Sequence, residues 1–302
     1  MIQQQSYRDL LERSQRANWR VDDIIGGDKR LDFARPFLPE TFARTEALSF
    51  LDADERLTLN HIRSRGYLAM FELFEQFVVP FVSDQADEKP GDDPYRARAL
   101  RQFAREENKH RELFRRFLAE FDAGFAVRCD LIGPADQIAA AVLAHSALAV
   151  TVAVLGLEWM SQGHYLESVA GDETLDGQFK SLLKHHWQEE AQHAELDGLM
   201  LGELARAAPA KRIEGAIDEF FEIGGVFDAG FRSQAELDLQ AFERARRTLG
   251  PAEREAFLRE QHQALRWTFL GSAMRNANFL VALERLRGRA RARVEAAAGA
   301  FA

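Results

Sequence analysis

Four glutamates and two histidines recur in this chain in two matching frames. Glu75 is followed 32 residues later by Glu107, and three residues after that by His110. Glu158 is followed 32 residues later by Glu190, and then by His193 at the same offset. Each half reads as a lone Glu, a helical hairpin, and a Glu-x-x-His on the returning helix. That is the ligand order of a di-iron or di-manganese site in a four-helix bundle. A single Glu-x-x-His carries little, because both residue types are common on helices. The repetition at a fixed interval carries the inference.

The interval has a geometric meaning. In an antiparallel hairpin, residues equidistant from the turn lie at one height. Glu75 and Glu107 are each 16 residues from position 91, inside PGDD; Glu158 and Glu190 are each 16 from position 174, inside GDET. At about 1.5 Å per residue, each pair stands roughly 24 Å above its turn. Two hairpins packed face to face then bring four carboxylates to one level. A Glu and a His three apart share a helical face, so both point inward. Carboxylate oxygen with imidazole nitrogen suits iron, and the same donors accept manganese. Two divalent ions would balance four ionised glutamates. Without them, buried carboxylates are costly and take up protons.

His186 lies four residues before Glu190 and hence on the same face. It is a seventh candidate ligand, in the frame His186-x-x-x-Glu190-x-x-His193. Glu106 and Glu189 directly precede the two motif glutamates. They are candidates for holding the far nitrogen of a liganding imidazole and fixing its orientation. Asp197, one turn past His193, competes for that role. His185 is expected to face solvent.

The elements that must position these residues are all helical. Residues 1–54 read as an irregular arm with Trp19, Phe33, Phe37 and Phe42, expected to pack over the bundle or onto a second subunit, which would make a homodimer. Asp52 and Glu55 form a capping-box signature that opens the first long helix. On it Tyr67, Phe71, Glu75, Val78 and Val82 share one stripe. Asp93-Pro94 signals the start of the second helix, about 94–121, with Leu100, Phe103, Glu107, His110, Phe114 and Phe117 inward. About 12 residues then cross the length of the bundle. The third helix is expected to run unbroken from near Ala135 to near Gly171. The fourth, about 175–206, carries Phe179, Leu182, His186, Glu190, His193, Asp197 and Met200 inward and closes at Pro209. Breaks at Gly224-Gly225 and Gly250-Pro251 suggest about three further helices. The expected organisation is one domain over 1–302: arm, bundle (55–207) and additional helices (208–302) packed on it.

Composition narrows the function. A formal net charge of −9 argues against a general nucleic-acid partner. One cysteine, Cys129, leaves no intrachain disulfide and has no neighbouring His to activate it. The N-terminus lacks a signal-peptide core, so a cytoplasmic location is expected. Ile138–Trp159 is apolar enough to suggest a membrane span, but it holds Glu158 and sits among amphipathic helices, so a buried bundle helix is the better reading. The basic run Arg285–Arg293 reads as a solvated last helix.

Together, Glu75, Glu107-x-x-His110, Glu158 and His186-x-x-x-Glu190-x-x-His193 resemble the p-aminobenzoate (arylamine) N-oxygenase family of ferritin-like di-iron carboxylate proteins. The resemblance covers residues 60–200 in motif order and spacing. Ribonucleotide reductase small subunits, alkane-type oxygenases and manganese catalases share six of the positions but usually lack the counterpart of His186. The resemblance implies an all-α, ferritin-like four-helix bundle with two iron ions. It further implies O₂ activation at the reduced pair, oxygen transfer to a small organic substrate, and a reductase or ferredoxin as electron donor. A ferroxidase-like iron-handling protein and a di-manganese catalase are the alternatives.

Overall fold

The computed structural model describes residues 6–16, 19–88, 93–286 and 288–301. In chain order the helices are α1 (Tyr7–Ser14), α2 (Val21–Ile24), α3 (Glu40–Ala43), α4 (Ala53–Asp87), α5 (Arg96–Gly124), α6 (Ala135–Leu143), α7 (Ala147–His164), α8 (Gly177–Ala207), α9 (Ala210–Ala245), α10 (Pro251–Arg266), α11 (Ser272–Arg275), α12 (Ala277–Glu284) and α13 (Ala290–Ala298). A π-helical turn, Tyr165–Val169, continues α7, and another, Trp267–Gly271, joins α10 to α11. No strand occurs among the described residues.

The bundle is two hairpins. Helix α4 packs along α5 and α7 along α8, while α5 lies against α8. Asp52 caps α4 as its sequence announces: its carboxylate accepts from Glu55 N–H at 2.8 Å, and Glu55 returns the bond to Asp52 N–H at 3.1 Å. Every residue of the α4, α5 and α8 stripes named above is buried. The first hairpin's turn, centred on position 91, lies outside the described residues.

Four expectations need correction. The arm is partly helical: Ser6 and Asp9 form a capping box that starts α1, and α1 packs against α5 and α8. Helix α5 starts at Arg96 rather than at the Asp93-Pro94 signal, because the Asp93 carboxylate accepts from Tyr95 N–H at 2.8 Å and holds a turn instead. The third helix is two helices, since Ser146 caps α7 with its hydroxyl and its own N–H is drawn to Glu219 at 2.7 Å. Gly224 and Gly225 lie inside α9 and break nothing. A buried stripe of Phe220, Ile223, Phe227 and Phe231 holds that helix, outweighing about 1 kcal/mol of helix propensity lost at each glycine. The break at Gly250-Pro251 is where the spacing puts it, with Pro251 in the first turn of α10.

Helix α9 packs on α4, α7 and α10. Arg63 of α4 and Asp238 of α9, both buried, face each other at 3.5 Å. No helix among the described residues is long and apolar enough to cross a membrane, and the apolar stretch from Ile138 is interrupted between α6 and α7.

Candidate metal centre

Helix α4 supplies Glu75, α5 supplies Glu107 and His110, α7 supplies Glu158, and α8 supplies His186, Glu190 and His193. All seven residues are buried, none more than 5% exposed, so no carboxylate here is solvated. Two groups of donor atoms lie within 4.8 Å of one another: Glu107, His110, Glu190 and His193, and also Glu75, His110 and His186. Glu158 belongs to neither group but faces Glu190, whose charge helps raise its pKa.

The distances divide the cluster into two halves with two shared members. His110 Nδ1 lies 3.0 Å from Glu107 Oε2 and 3.1 Å from Glu190 Oε1. His193 Nδ1 lies 2.7 Å from Glu107 Oε1 and 3.7 Å from Glu190 Oε2. Glu107 and Glu190 thus each direct one oxygen toward each imidazole. His186 Nε2 joins the His110 half, 2.9 Å from Glu190 Oε1.

Several of these atoms are close without being hydrogen-bonded. Glu75 Oε2, Glu107 Oε1, Glu158 Oε2, Glu190 Oε1 and His193 Nδ1 are buried and have no hydrogen-bond partner. His193 Nδ1 and Glu107 Oε1 are 2.7 Å apart, yet their angles make no hydrogen bond. Orphaned polar atoms in a protein interior are rare and costly. Donors that lie side by side without addressing one another fit a metal ion as the missing partner, and the carboxylate–imidazole chemistry suits iron or manganese.

The far nitrogens of the two motif histidines are held crosswise. His110 Nε2 on α5 bonds Glu189 Oε2 on α8 at 3.0 Å, and His193 Nε2 on α8 bonds Glu106 Oε2 on α5 at 2.9 Å. A residue one position before the motif Glu points about 100° around the helix, which aims it at the neighbouring helix rather than at the cluster. Glu189 in turn accepts from Lys109, and Glu106 from Ser14, from Gln102 at 3.1 Å and from Gln192 at 3.3 Å. Asp197 takes no part in this: it is fully buried, and neither carboxylate oxygen has a hydrogen-bond partner.

Charge is distributed unevenly among the seven. Burial, reinforced by Glu107, raises the Glu75 carboxyl well above its usual range. Burial, reinforced by Glu190, does the same to Glu158. Burial also pushes against ionisation of Glu107, but the His193 charge outweighs it and holds Glu107 at about 2. At Glu190 the His186 and His110 contacts prevail over burial, so its pKa is lowered. Burial disfavours charge on His110 and His193, yet Glu107 and the other carboxylates raise both well above the ordinary imidazole value. Without metal, these shifts favour protonated Glu75 and Glu158, and ionised Glu107 and Glu190 beside protonated His110 and His193.

Aromatic rings close the cluster. Phe103 stacks on His193 at 4.1 Å, and Phe71 and Phe114 meet His186 edge-on at 5.2 and 5.0 Å. Trp19 from the arm stacks over His110 at 6.0 Å, with Lys109 Nζ 3.9 Å above the indole. Sequence reasoning gives Trp19 only a general packing role. The contributions of Ser14 and Trp19 depend on where α1 docks, and the available sequence signal was the Ser6-x-x-Asp9 cap. His185 is half-buried against Ser181 O at 2.7 Å, away from the cluster.

No protein-family model matches the chain, and no curated protein matches it by sequence. Among solved structures the chain is similar to a point variant of an R2-like ligand-binding oxidase with an aerobically reconstituted Fe/Fe cofactor. The TM-score is 0.50 at 14% identity, covering 93% of each chain. The same variant with a non-activated Mn/Mn cofactor gives a TM-score of 0.48 at 13% identity, covering 86% of this chain and 92% of that one. The fold is thus the all-α, ferritin-like bundle that the repeated motif implies.

Proposed function

We propose that this chain is a non-haem di-iron oxidoreductase that activates O₂ and oxidises a small organic substrate. N-oxygenation of an arylamine is the reaction its seven-residue pattern favours. The observation that carries the reading is the set of buried donors without partners, shared between two imidazole-centred halves. Glu107 and Glu190 would bridge two ions. Glu75, His110 and His186 would complete one position, and Glu158 and His193 the other. The iron pair would supply the redox equivalents for O₂ activation, replenished by a reductase or ferredoxin. The structural likeness to a di-iron oxidase supports the fold this requires. Manganese fits the same donors.

The protein's own contribution is orientation and dryness. Glu106 and Glu189 fix the tautomer of each imidazole by accepting from Nε2–H, leaving Nδ1 to face the ions. The rings of Phe71, Phe103 and Phe114 keep water from the donors. Glu106→Gln and Glu189→Gln are each expected to weaken metal affinity about 10–100-fold, measured by competition with a chelator.

The deciding experiment is exposure of reduced, iron-loaded protein to O₂ with an arylamine present. Formation of the N-oxygenated product supports the reading. Mineral formation would favour iron handling, and rapid peroxide disproportionation with bound manganese would favour a catalase. His186→Ala should change the Mössbauer parameters of one iron and leave the other as it was. An unchanged spectrum would remove His186 from the ligand set.

A further inference from the structure

Outside the carboxylate cluster, a polar chain runs through the interior from Tyr67 to Ser272. Tyr67 Oη lies 2.9 Å from His164 Nδ1, and His164 Nε2 lies 2.9 Å from Ser272 Oγ. The Ser272 hydroxyl donates to Thr268 O at 2.7 Å. A hydroxyl has one hydrogen, so Ser272 Oγ accepts from His164 Nε2–H. Burial pushes the His164 imidazole down to about 3, so the ring is neutral and carries only that proton. Its Nδ1 is therefore a bare lone pair, and Tyr67 donates to it. With this tautomer the bonds run in one direction, from Tyr67 through His164 and Ser272 to Thr268 O.

The surroundings are built around this pair. Phe42 from the arm covers it, 4.3 Å from the His164 ring and stacked at 6.2 Å on Tyr67. One π turn begins directly after His164; the other contains Thr268 and ends directly before Ser272. Single π turns within helices gather at functional sites. Tyr67 also has a route to the cluster. It stands eight residues before Glu75, about 12 Å along α4. Phe71 fills the interval, 4.9 Å from Tyr67 and 5.2 Å from His186.

A phenol so buried does not ionise, because burial raises its pKa far above the ordinary value. It can still lose an electron if its proton leaves in the same step, and the His164 lone pair is placed to take it. We propose that Tyr67 and His164 form a proton-coupled one-electron donor to the metal centre. The proposal rests on the di-iron oxidase reading above. The O–H bond of Tyr67 breaks, an N–H bond forms at His164 Nδ1, and the electron reduces the O₂-oxidised centre by one equivalent. The products are a neutral tyrosyl radical and an imidazolium whose Nε2–H still donates to Ser272. The transfer discharges an oxidised centre that finds no substrate, sparing Phe71 and His186. Tyr67 is the redox residue and His164 its positioning base.

Two measurements test this. Reduced, iron-loaded protein is mixed with O₂ without substrate and freeze-quenched for electron paramagnetic resonance. A tyrosyl signal that responds to ring-deuterated tyrosine is expected. Tyr67→Phe should abolish it at unchanged iron content and unchanged circular dichroism, and His164→Phe should cut its yield severalfold. A signal surviving in Tyr67→Phe, or oxidation of the irons with no tyrosyl signal, overturns the proposal. The second measurement needs no metal: photo-oxidation of metal-free protein by a soluble ruthenium sensitiser. Of the four tyrosines in the chain, Tyr67 should hold most of the radical, and Tyr67→Phe should remove it. A spectrum unaffected by Tyr67→Phe overturns the pair. Iron that fails to bind, with Tyr67 still the oxidised residue, overturns the oxidase reading and the electron transfer to it but not the pair.

Discussion

Replacing Glu107 and Glu190 together by Ala is expected to take the iron content of protein grown with iron from about two ions per chain to none, as read by elemental analysis. No other pair of side chains should do as much. Glu107 and Glu190 are the carboxylates whose two oxygens each address a different imidazole. Their removal would strip both proposed metal positions at once. What remains is Glu75, His110 and His186 on one side, and Glu158 with His193 on the other. The variant should still fold. Loss of the two carboxylates removes the strongest charges that favour protonation of His110 and His193, while Glu189 and Glu106 still hold the far nitrogen of each ring. A variant that retained both ions would sink the ligand assignment. One that lost the helical signal would have to be replaced by Glu107→Gln with Glu190→Gln, which keeps the volume.

The seven clustered positions were legible in the sequence because a hairpin converts equal spacing into equal height. Glu75 with Glu107, and Glu158 with Glu190, need only two turns in the right place to meet. Glu106 and Glu189 were legible as partners of an imidazole, but not as partners of the opposite helix's imidazole, because that depends on how α5 lies against α8. Ser146 illustrates a different limit. The stretch from Ile138 to Trp159 is so uniformly apolar that its periodicity says nothing about a break. The break is made by a hydroxyl cap and by Glu219, 73 residues away. Gly224 and Gly225 mislead in the opposite sense, since the packing of their apolar neighbours overrides their propensity. Tyr67 and His164 are 97 residues apart on different hairpins, and nothing local to either marks them as a pair.

Metal loading is expected to expel protons, and its stabilising effect is expected to grow with pH. In the metal-free protein burial raises the Glu75 and Glu158 pKa values and so favours their protonated form. The neighbouring carboxylates raise His110 and His193 and so favour the imidazolium. Two divalent ions bound to four carboxylates and neutral imidazoles must displace the protons these groups hold, on the order of several per chain. An indicator dye in weak buffer would count them. Release of one or none would mean that the carboxylates and imidazoles do not carry the ions. The same shifts set the stability of the metal-free protein. Glu75 and Glu158 stabilise the fold fully below their unfolded value near 4.5, and lose that contribution as pH rises through their raised values. His110 and His193 behave alike, stabilising below 6.5 and ceasing to do so as pH rises through theirs. Glu107 and Glu190 run the other way, stabilising above 4.5 and losing it in acid, for Glu107 at about 2. Between pH 7 and 9 only the raised pairs can still lose stabilisation, so the melting temperature of metal-free protein should fall with pH. In the loaded protein the ions stand in for those protons, and its melting temperature should stay nearly level over that interval. Parallel curves for the two forms would mean that the buried acids are not titrating as the cluster requires.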